Sequence, residues 1–251
     1  MRAIILGCGT SGGVPRIGND WGTCDPNEPR NRRRRASIAV EHLDTRLLID
    51  TSPDLRAQAI DFGIDRIDAV VFTHDHADHT HGIDDLRFFA IRQRSEINIY
   101  SDRITLDSIS ERFGYAFKDG GPMYPPIVVP HEIDGALRIG DIDVVPFEQD
   151  HASMTTLGLR FGPLAYSTDV VNLPESAFAA LEGVSIWIVD ALQDEPHPTH
   201  AHLERTLEWI ERVKPDRAIL THMNYTLDYQ DLKSRLPAGV EPAYDGMIVY
   251  V

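Results

Sequence analysis

Residues 73–79 read Thr73-His74-Asp75-His76-Ala77-Asp78-His79, directly after the apolar run Ala69, Val70, Val71, Phe72. The length and β-branched content of that run predict a buried strand ending where the polar residues begin. Four potential metal ligands, His74, His76, Asp78 and His79, therefore stand at a strand end. Alternate residues of an extended chain point the same way, so His74 and His76 can reach one ion while Asp78 and His79, past the bend, reach another. Imidazole suits zinc, iron, manganese or nickel, and a carboxylate widens the choice toward harder ions. A polar helix cap with surface histidines is the bland alternative, and so dense a set of ligands weighs against it.

With HxHxDH complete, the chain resembles the metallo-β-lactamase superfamily. The resemblance implies a later histidine, an aspartate bridging two metals and a final histidine, each at a strand end. His151 follows IDVVPFEQD, Asp169 follows LAYST and His222 follows RAILT. By carry-over, His74, His76 and His151 bind one metal, Asp78, His79 and His222 bind the other, and Asp169 bridges both. The implied fold is α/β, a four-layered αββα sandwich; alternating strands and helices alone predict only α/β.

The chain has 251 residues, a 42% apolar fraction and a formal charge of −15. Proposed ligands running from His74 to His222 favour one metallo-hydrolase domain over residues 1–251. No run approaches membrane-spanning length, and the start MRAIILGCGTSGG lacks a secretory pattern, so a cytoplasmic protein without a membrane partner is the expectation. Cys8 and Cys24 are expected to be free thiols. The acidic balance argues against long nucleic acid as a partner and leaves a small phosphate-containing substrate, because two divalent ions reverse the sign locally. Assembly is open, a homodimer included. The basic run Arg32–Arg35 reads as a solvated face.

Taken in order, residues 2–6 predict a strand leading into GCGTSGGVP. Gly7, Gly9 and Gly12 fit GxGxxG, but Pro15 and the glycines that follow deny it the helix a dinucleotide site needs, leaving a tight turn near the metal site or a plain structural one. Residues 16–35 form a long polar loop. Strands at 36–41 and 45–50 end at Asp50, a carboxylate placed to orient the ligand imidazoles, or else a helix cap together with Asp54 for helix 54–62. A helix at 80–92 starts near His81, Asp84 and Asp85, candidates for substrate contact or simply favourable charge at a helix N-terminus. Further elements are expected at 97–100, 103–113, 136–147, 155–168, 174–181, 184–189, 203–213, 217–221, 228–235 and 247–251. In the loop 114–126, Tyr115, Phe117, Met123 and Tyr124 could wall a pocket or pack beneath it.

Two metals sharing Asp169 can lower the pKa of a water between them to about 7, giving hydroxide for attack on a phosphodiester. Zinc or manganese fits such ligands, and iron is open. A proton donor must meet the leaving oxygen, and His200 in DEPHPTHAH is the leading candidate for it, with Asp78 and Asp169 completing the catalytic set. A loop histidine beside a helix is the alternative for His200. Within the superfamily the chain is most similar to the phosphoribosyl cyclic phosphate phosphodiesterases of phosphonate breakdown and their relatives, through GCGTSGGVP, NRRRRAS, HADHTHGIDDLR, LTHM and YDGM. That resemblance implies that His200 helps bind or protonate the phosphate, and it implies a structural zinc held by loop cysteines and a histidine three residues past the last ligand. Here only Cys24 remains and Tyr225 takes the histidine's place, so the chain departs from the pattern. A tRNase Z-like RNA endonuclease and a thioester or lactam hydrolase share the ligands. A flavin-partnered di-iron oxidoreductase usually has a glutamate where His76 stands, and full ligand retention disfavours a non-catalytic binding module.

Overall fold

A computed structural model describes residues 1–118, 120–121 and 125–251. Met123 and Tyr124, expected near a pocket, lie outside the described residues. Six strands of the first half build one sheet: β1 Arg2–Gly7, β2 Ser37–His42, β3 Thr45–Ile49, β4 Ala69–Val71, β5 Ile97–Ser101 and β6 Val128–Glu132. Helices α1 Leu55–Asp61, α2 Ala77–Thr80, α3 Leu86–Gln93, α4 Arg103–Arg112 and α5 Gly114–Phe117 connect them. The second half gives β7 Leu137–Ile139, β8 Ile142–His151, β9 Met154–Phe161, β10 Leu164–Ser167, β11 Ile186–Asp190, β12 Arg217–Thr221 and β13 Val240–Pro242, with α6 Glu175–Leu181, α7 Leu203–Val213 and α8 Tyr229–Arg235. The last strand, β14 Ile248–Tyr250, returns to β1, so the two seven-stranded sheets run β14-β1-β2-β3-β4-β5-β6 and β13-β12-β11-β10-β9-β8-β7.

In each sheet a run of parallel strands occupies the side from which ligand loops emerge: β3-β4-β5-β6 in one, β10-β11-β12-β13 in the other. Strands covered on both faces need apolar residues throughout, as Ile186–Val189 and Ala69–Val71 supply. Ile5, Val40, Leu47 and Val71 pack between the sheets against Val144, Leu159, Tyr166 and Ile188. The alternate residues Leu6, Ala39, Leu48 and Val70 face outward under Leu55, Leu86 and Leu106. The period of two thus assigns one face to the inter-sheet core and the other to the helices, giving the αββα sandwich.

Four expectations are corrected. The helix foreseen at 80–92 is interrupted: α2 stops at Thr80, a 3₁₀ turn spans Ile83–Asp85, and α3 begins at Leu86. Gly82 causes the break, since its N–H bonds Thr51 O and a Cβ there would lie 2.1 Å from Ser52 O. Strands foreseen at 136–147 and 155–168 each divide, at left-handed Gly140 and Gly162. Two strands were not foreseen, β6 and β13; both are sheet edges and each contains a proline, which an edge tolerates. Finally, the basic run is not a solvated face: Arg33 is 2% exposed and donates to Asn224 O at 3.0 Å and Leu227 O at 2.7 Å. Arg35 pairs with Asp54 at 3.0 Å and Arg34 with Asp61 at 2.5 Å.

Around Tyr225 the long loop is fastened by protein groups. The Arg16 guanidinium lies 3.6 Å over its ring, the Cys24 thiol donates to its carbonyl, and Thr23 N bonds the same carbonyl. No helix among the described residues is long and apolar enough to cross a membrane.

Candidate metal centre

His74, His76, Asp78 and His79 follow β4, and α2 begins within the same stretch, so the strand aims the first two while the helical turn brings the others round. His151 is the last residue of β8, Asp169 lies two residues past β10, and His222 follows β12. The structure brings these residues from both sheets into two groups: His74, His76, His151 and Asp169, then Asp78, His79, Asp169 and His222, with the ligand atoms of each group within 4.8 Å of one another. Asp169 belongs to both. Its Oδ1 lies 3.8 Å from His74 Nε2 and 3.9 Å from His151 Nε2, while Oδ2 lies 3.1 Å from His79 Nε2 and 3.3 Å from His222 Nε2. Ligand atoms each about 2.0–2.2 Å from a shared tetrahedral ion would be spaced in this way.

Hydrogen bonds fix which nitrogen each ring turns inward. The Asp50 carboxylate, fully buried, accepts from Thr73 N at 2.8 Å, Thr73 Oγ1 at 2.9 Å and His79 Nδ1 at 2.8 Å. Because the Thr73 hydroxyl gives its proton to Asp50, it can only accept from His74 Nδ1, 2.9 Å away. His151 Nδ1 donates to Thr199 O at 2.7 Å, and a carbonyl can only accept. All three rings therefore carry the proton on Nδ1 when neutral and leave the Nε2 lone pair facing the centre. Nε2 of His74 and His79 and both ring nitrogens of His222 are buried without a hydrogen-bond partner. Lone pairs converging on carboxylates repel unless something positive lies between them, so the donor set fits divalent cations.

The electrostatics agree. Burial pushes His74 well below the ordinary imidazole range and, less far, His151. Burial also disfavours charge on His79 and His222. Yet Asp169 and Asp78 outweigh it, pushing His222 up to about 9 and, with Asp50, holding His79 well above the usual range. The negative field of Asp78, Asp169 and Asp50 that holds a proton on these two rings is what a cation would neutralise in the proton's place.

His200 stands beside the groups. Its Nδ1 lies 2.9 Å from Asp190 Oδ2, its Nε2 lies 3.9 Å from Asp169 Oδ1, and its ring stacks on His222 at 4.7 Å. Asp190 went unread as a site residue, having looked like no more than the end of a strand. It is fully buried; Oδ2 also accepts from Val170 N at 3.2 Å, and Oδ1 lies 4.0 Å from His222 Nδ1. One carboxylate thereby holds His200, the turn after Asp169 and the space beside His222. Its signal in sequence was an acid closing an otherwise wholly apolar strand, Ile186–Val189.

A cleft of about 650 Å³ opens over the centre, floored by His76, Asp78, His151, Asp169, His200 and His222. Thr10, Ser11 and Gly12 form one wall, so the glycine turn does bring backbone to the site; Gln193, His197, Thr199, Asn224, Arg16 and Tyr225 form others. His81 and Asp84 are not in the lining. His81 is exposed, capping the end of α2 with its ring against Phe113, and Asp84, on the 3₁₀ turn after Gly82, is drawn to Arg87 at 3.3 Å. Tyr115 and Phe117 likewise sit outside it, in α5.

Three corners share one feature: Asp50, Asp169 and His222 all adopt left-handed backbone conformations, with φ of 63°, 52° and 57°. Each ends or follows a strand and turns the chain while directing its side chain inward.

The profile of the beta-lactamase superfamily domain matches residues 45–223. A crystal structure described as a new diphosphatase from the PhnP family is 33% identical, with a TM-score of 0.92, over 100% of this chain and 97% of that one. Zn²⁺-bound PqqB from Methylobacterium extorquens (20% identity, TM-score 0.78, 100% of both chains) shares the fold. So does the short form of human tRNase Z (16%, 0.72, 100% of this chain and 99% of that one). An octanoyltransferase of Porphyromonas gingivalis is 32% identical over 252 residues, 98% of this chain but 51% of that protein, so the chain spans about half the length of this curated relative. The two His/Asp groups, the sandwich and the matches together place the chain in the metallo-β-lactamase superfamily, related to the PhnP-family diphosphatase.

Proposed function

We propose that the protein is a dinuclear phosphodiesterase acting on a small phosphodiester, of the ribose cyclic phosphate or nucleotide-like class. The observation that carries this reading is the divided Asp169 carboxylate, one oxygen facing each imidazole group. His74, His76 and His151 with Asp169 Oδ1 would hold one ion, and Asp78, His79 and His222 with Asp169 Oδ2 the other. Bound there, divalent ions supply Lewis-acid polarisation of a phosphoryl oxygen and a lowered pKa for water. The chain's own residues do the rest. Asp50 and Thr73 hold His79 and His74 in the tautomer that offers Nε2 inward. Asp190 holds His200 in the same way, through Nδ1, so that its Nε2 is the edge turned to the cleft. As general acid, His200 would donate a proton from Nε2 to the alkoxide released as the P–O bond breaks. The diphosphatase relative fits this reading, since a phosphate anhydride poses the same demand for charge neutralisation.

Zinc- or manganese-loaded protein should cleave bis(p-nitrophenyl) phosphate and a ribose cyclic phosphate, and Asp169→Ala should abolish both activities. Thioester turnover without phosphodiester cleavage would reassign the site to carbonyl chemistry. A defined 3′ cut in tRNA would make it a nuclease.

A further inference from the structure

The wall of the cleft formed by residues 192–200 contains a histidine that the mechanism above does not use. His197 stands between Pro196 and Pro198, which narrow the backbone it can adopt. Thr199 locks it further: the carbonyl of Thr199 accepts from ligand His151, while its N–H and hydroxyl lie 3.4 and 3.2 Å from His197 Nδ1. A backbone N–H can only donate, so Nδ1 is the acceptor and the neutral ring carries its proton on Nε2, at the opposite edge. Burial, then the neighbouring His200, keeps His197 below the ordinary imidazole range and so on the side of this neutral form.

Most of that wall's polar side-chain capacity is already committed. Gln193 Oε1 accepts from Asn224 Nδ2 at 2.9 Å and its Nε2 donates to Glu195 O at 3.1 Å. Leu192 offers no donor, the Thr199 hydroxyl is turned to His197, and His200 Nε2 faces Asp169. That leaves Nε2–H of His197, with the second Nε2 hydrogen of Gln193, as the side-chain donors of this wall with no partner found among the described residues, and of the two His197 is the ring beside His200. Its ring centroid is 5.5 Å from that of His200, near enough for one small molecule to touch both.

We propose that His197 is a specificity-determining residue whose Nε2–H donates a hydrogen bond to an oxygen on the retained alcohol half of the diester. It thereby selects an oxygen-bearing alcohol, such as a nucleoside, over a plain alkyl one. The proposal rests on the phosphodiesterase reading. The test uses metal-loaded protein with two diesters that share a leaving group, thymidine 5′-(p-nitrophenyl) phosphate and methyl p-nitrophenyl phosphate. Wild type should favour the thymidine ester in kcat/KM. His197→Phe, which keeps a ring without the donor, should lower that preference about two- to tenfold with metal content unchanged, the size of one lost hydrogen bond. His197→Gln, which retains an N–H, should recover part of it. Calorimetric affinity for thymidine 5′-monophosphate should fall in parallel. A preference and an affinity both unchanged in His197→Phe overturn the proposal. If wild type cleaves neither diester yet binds the monophosphate in a His197-dependent way, the phosphodiesterase reading fails while recognition by His197 stands.

Discussion

Asp50 accepts three hydrogen bonds and, by position, touches no substrate, so its removal should separate orientation from chemistry. Asp50→Ala frees the rings of His79 and His74 to rotate, and metal affinity should fall about 10–100-fold, measured by competition with a chromogenic chelator. His200→Gln poses the opposite case. Metal content should stay intact while turnover drops about 10²–10⁴-fold, and unchanged turnover would remove His200 from the mechanism. At this scale the convergence of the candidate ligands was legible because a strand end followed by HxHxDH leaves little freedom in where side chains point. Asp190 and His197 were not, because their roles arise from contacts across distant segments, with His200 and Thr199 as intermediaries, and no local spacing announces them. His81 and Asp84 misled for the same reason: nearness in sequence to His79 ends with α2 at Thr80, after which His81 turns to Phe113 and Asp84 to Arg87.

The segment after the motif depends on the turn at Gly82. A methyl group on Gly82 would meet the Ser52 carbonyl at 2.1 Å, between α1 and the 3₁₀ turn, with no flexible side chain to move aside. Gly82→Ala should therefore cost about 1–3 kcal/mol, read as a lower urea midpoint at unchanged slope. Element types were legible wherever burial was complete on one face or both, as for β4, β11 and α7. They failed at proline-bearing edges and at interior glycines, where one residue decides whether an apolar run continues. Arg33 shows the limit most clearly. Composition assigns four consecutive arginines to solvent, yet the carbonyls of Asn224 and Leu227 make a buried place for one guanidinium and tie the long loop to the segment after His222.

At the level of the whole molecule, Asp245 joins the two ends of the chain. Its carboxyl accepts from Cys8 N at 3.1 Å and Arg34 N at 2.8 Å, and burial pushes its pKa up to about 7 against those bonds. The folded state then retains a proton that the unfolded chain, with an ordinary value of 3.8, releases. Asp245 therefore makes stability fall as pH rises from about 4 to 7, with no further change above. In Asp245→Asn the titration is gone. The wild-type minus variant difference in unfolding free energy should decline across that window at up to about 1.4 kcal/mol per pH unit, by urea denaturation at several pH values. A flat difference would show the carboxyl to be ionised throughout. The sandwich itself was legible through family resemblance and the period of two, whereas the joining of chain ends by Asp245 was not. The left-handed corners at Asp50, Asp169 and His222 narrow what drift can do to this protein. Glutamate or cysteine could serve a cation there but would resist the bend, and glycine would accept the bend but supply no ligand. Aspartate, asparagine and histidine are the polar side chains most at ease in both duties, so these three positions have a smaller alphabet than their chemistry alone would require.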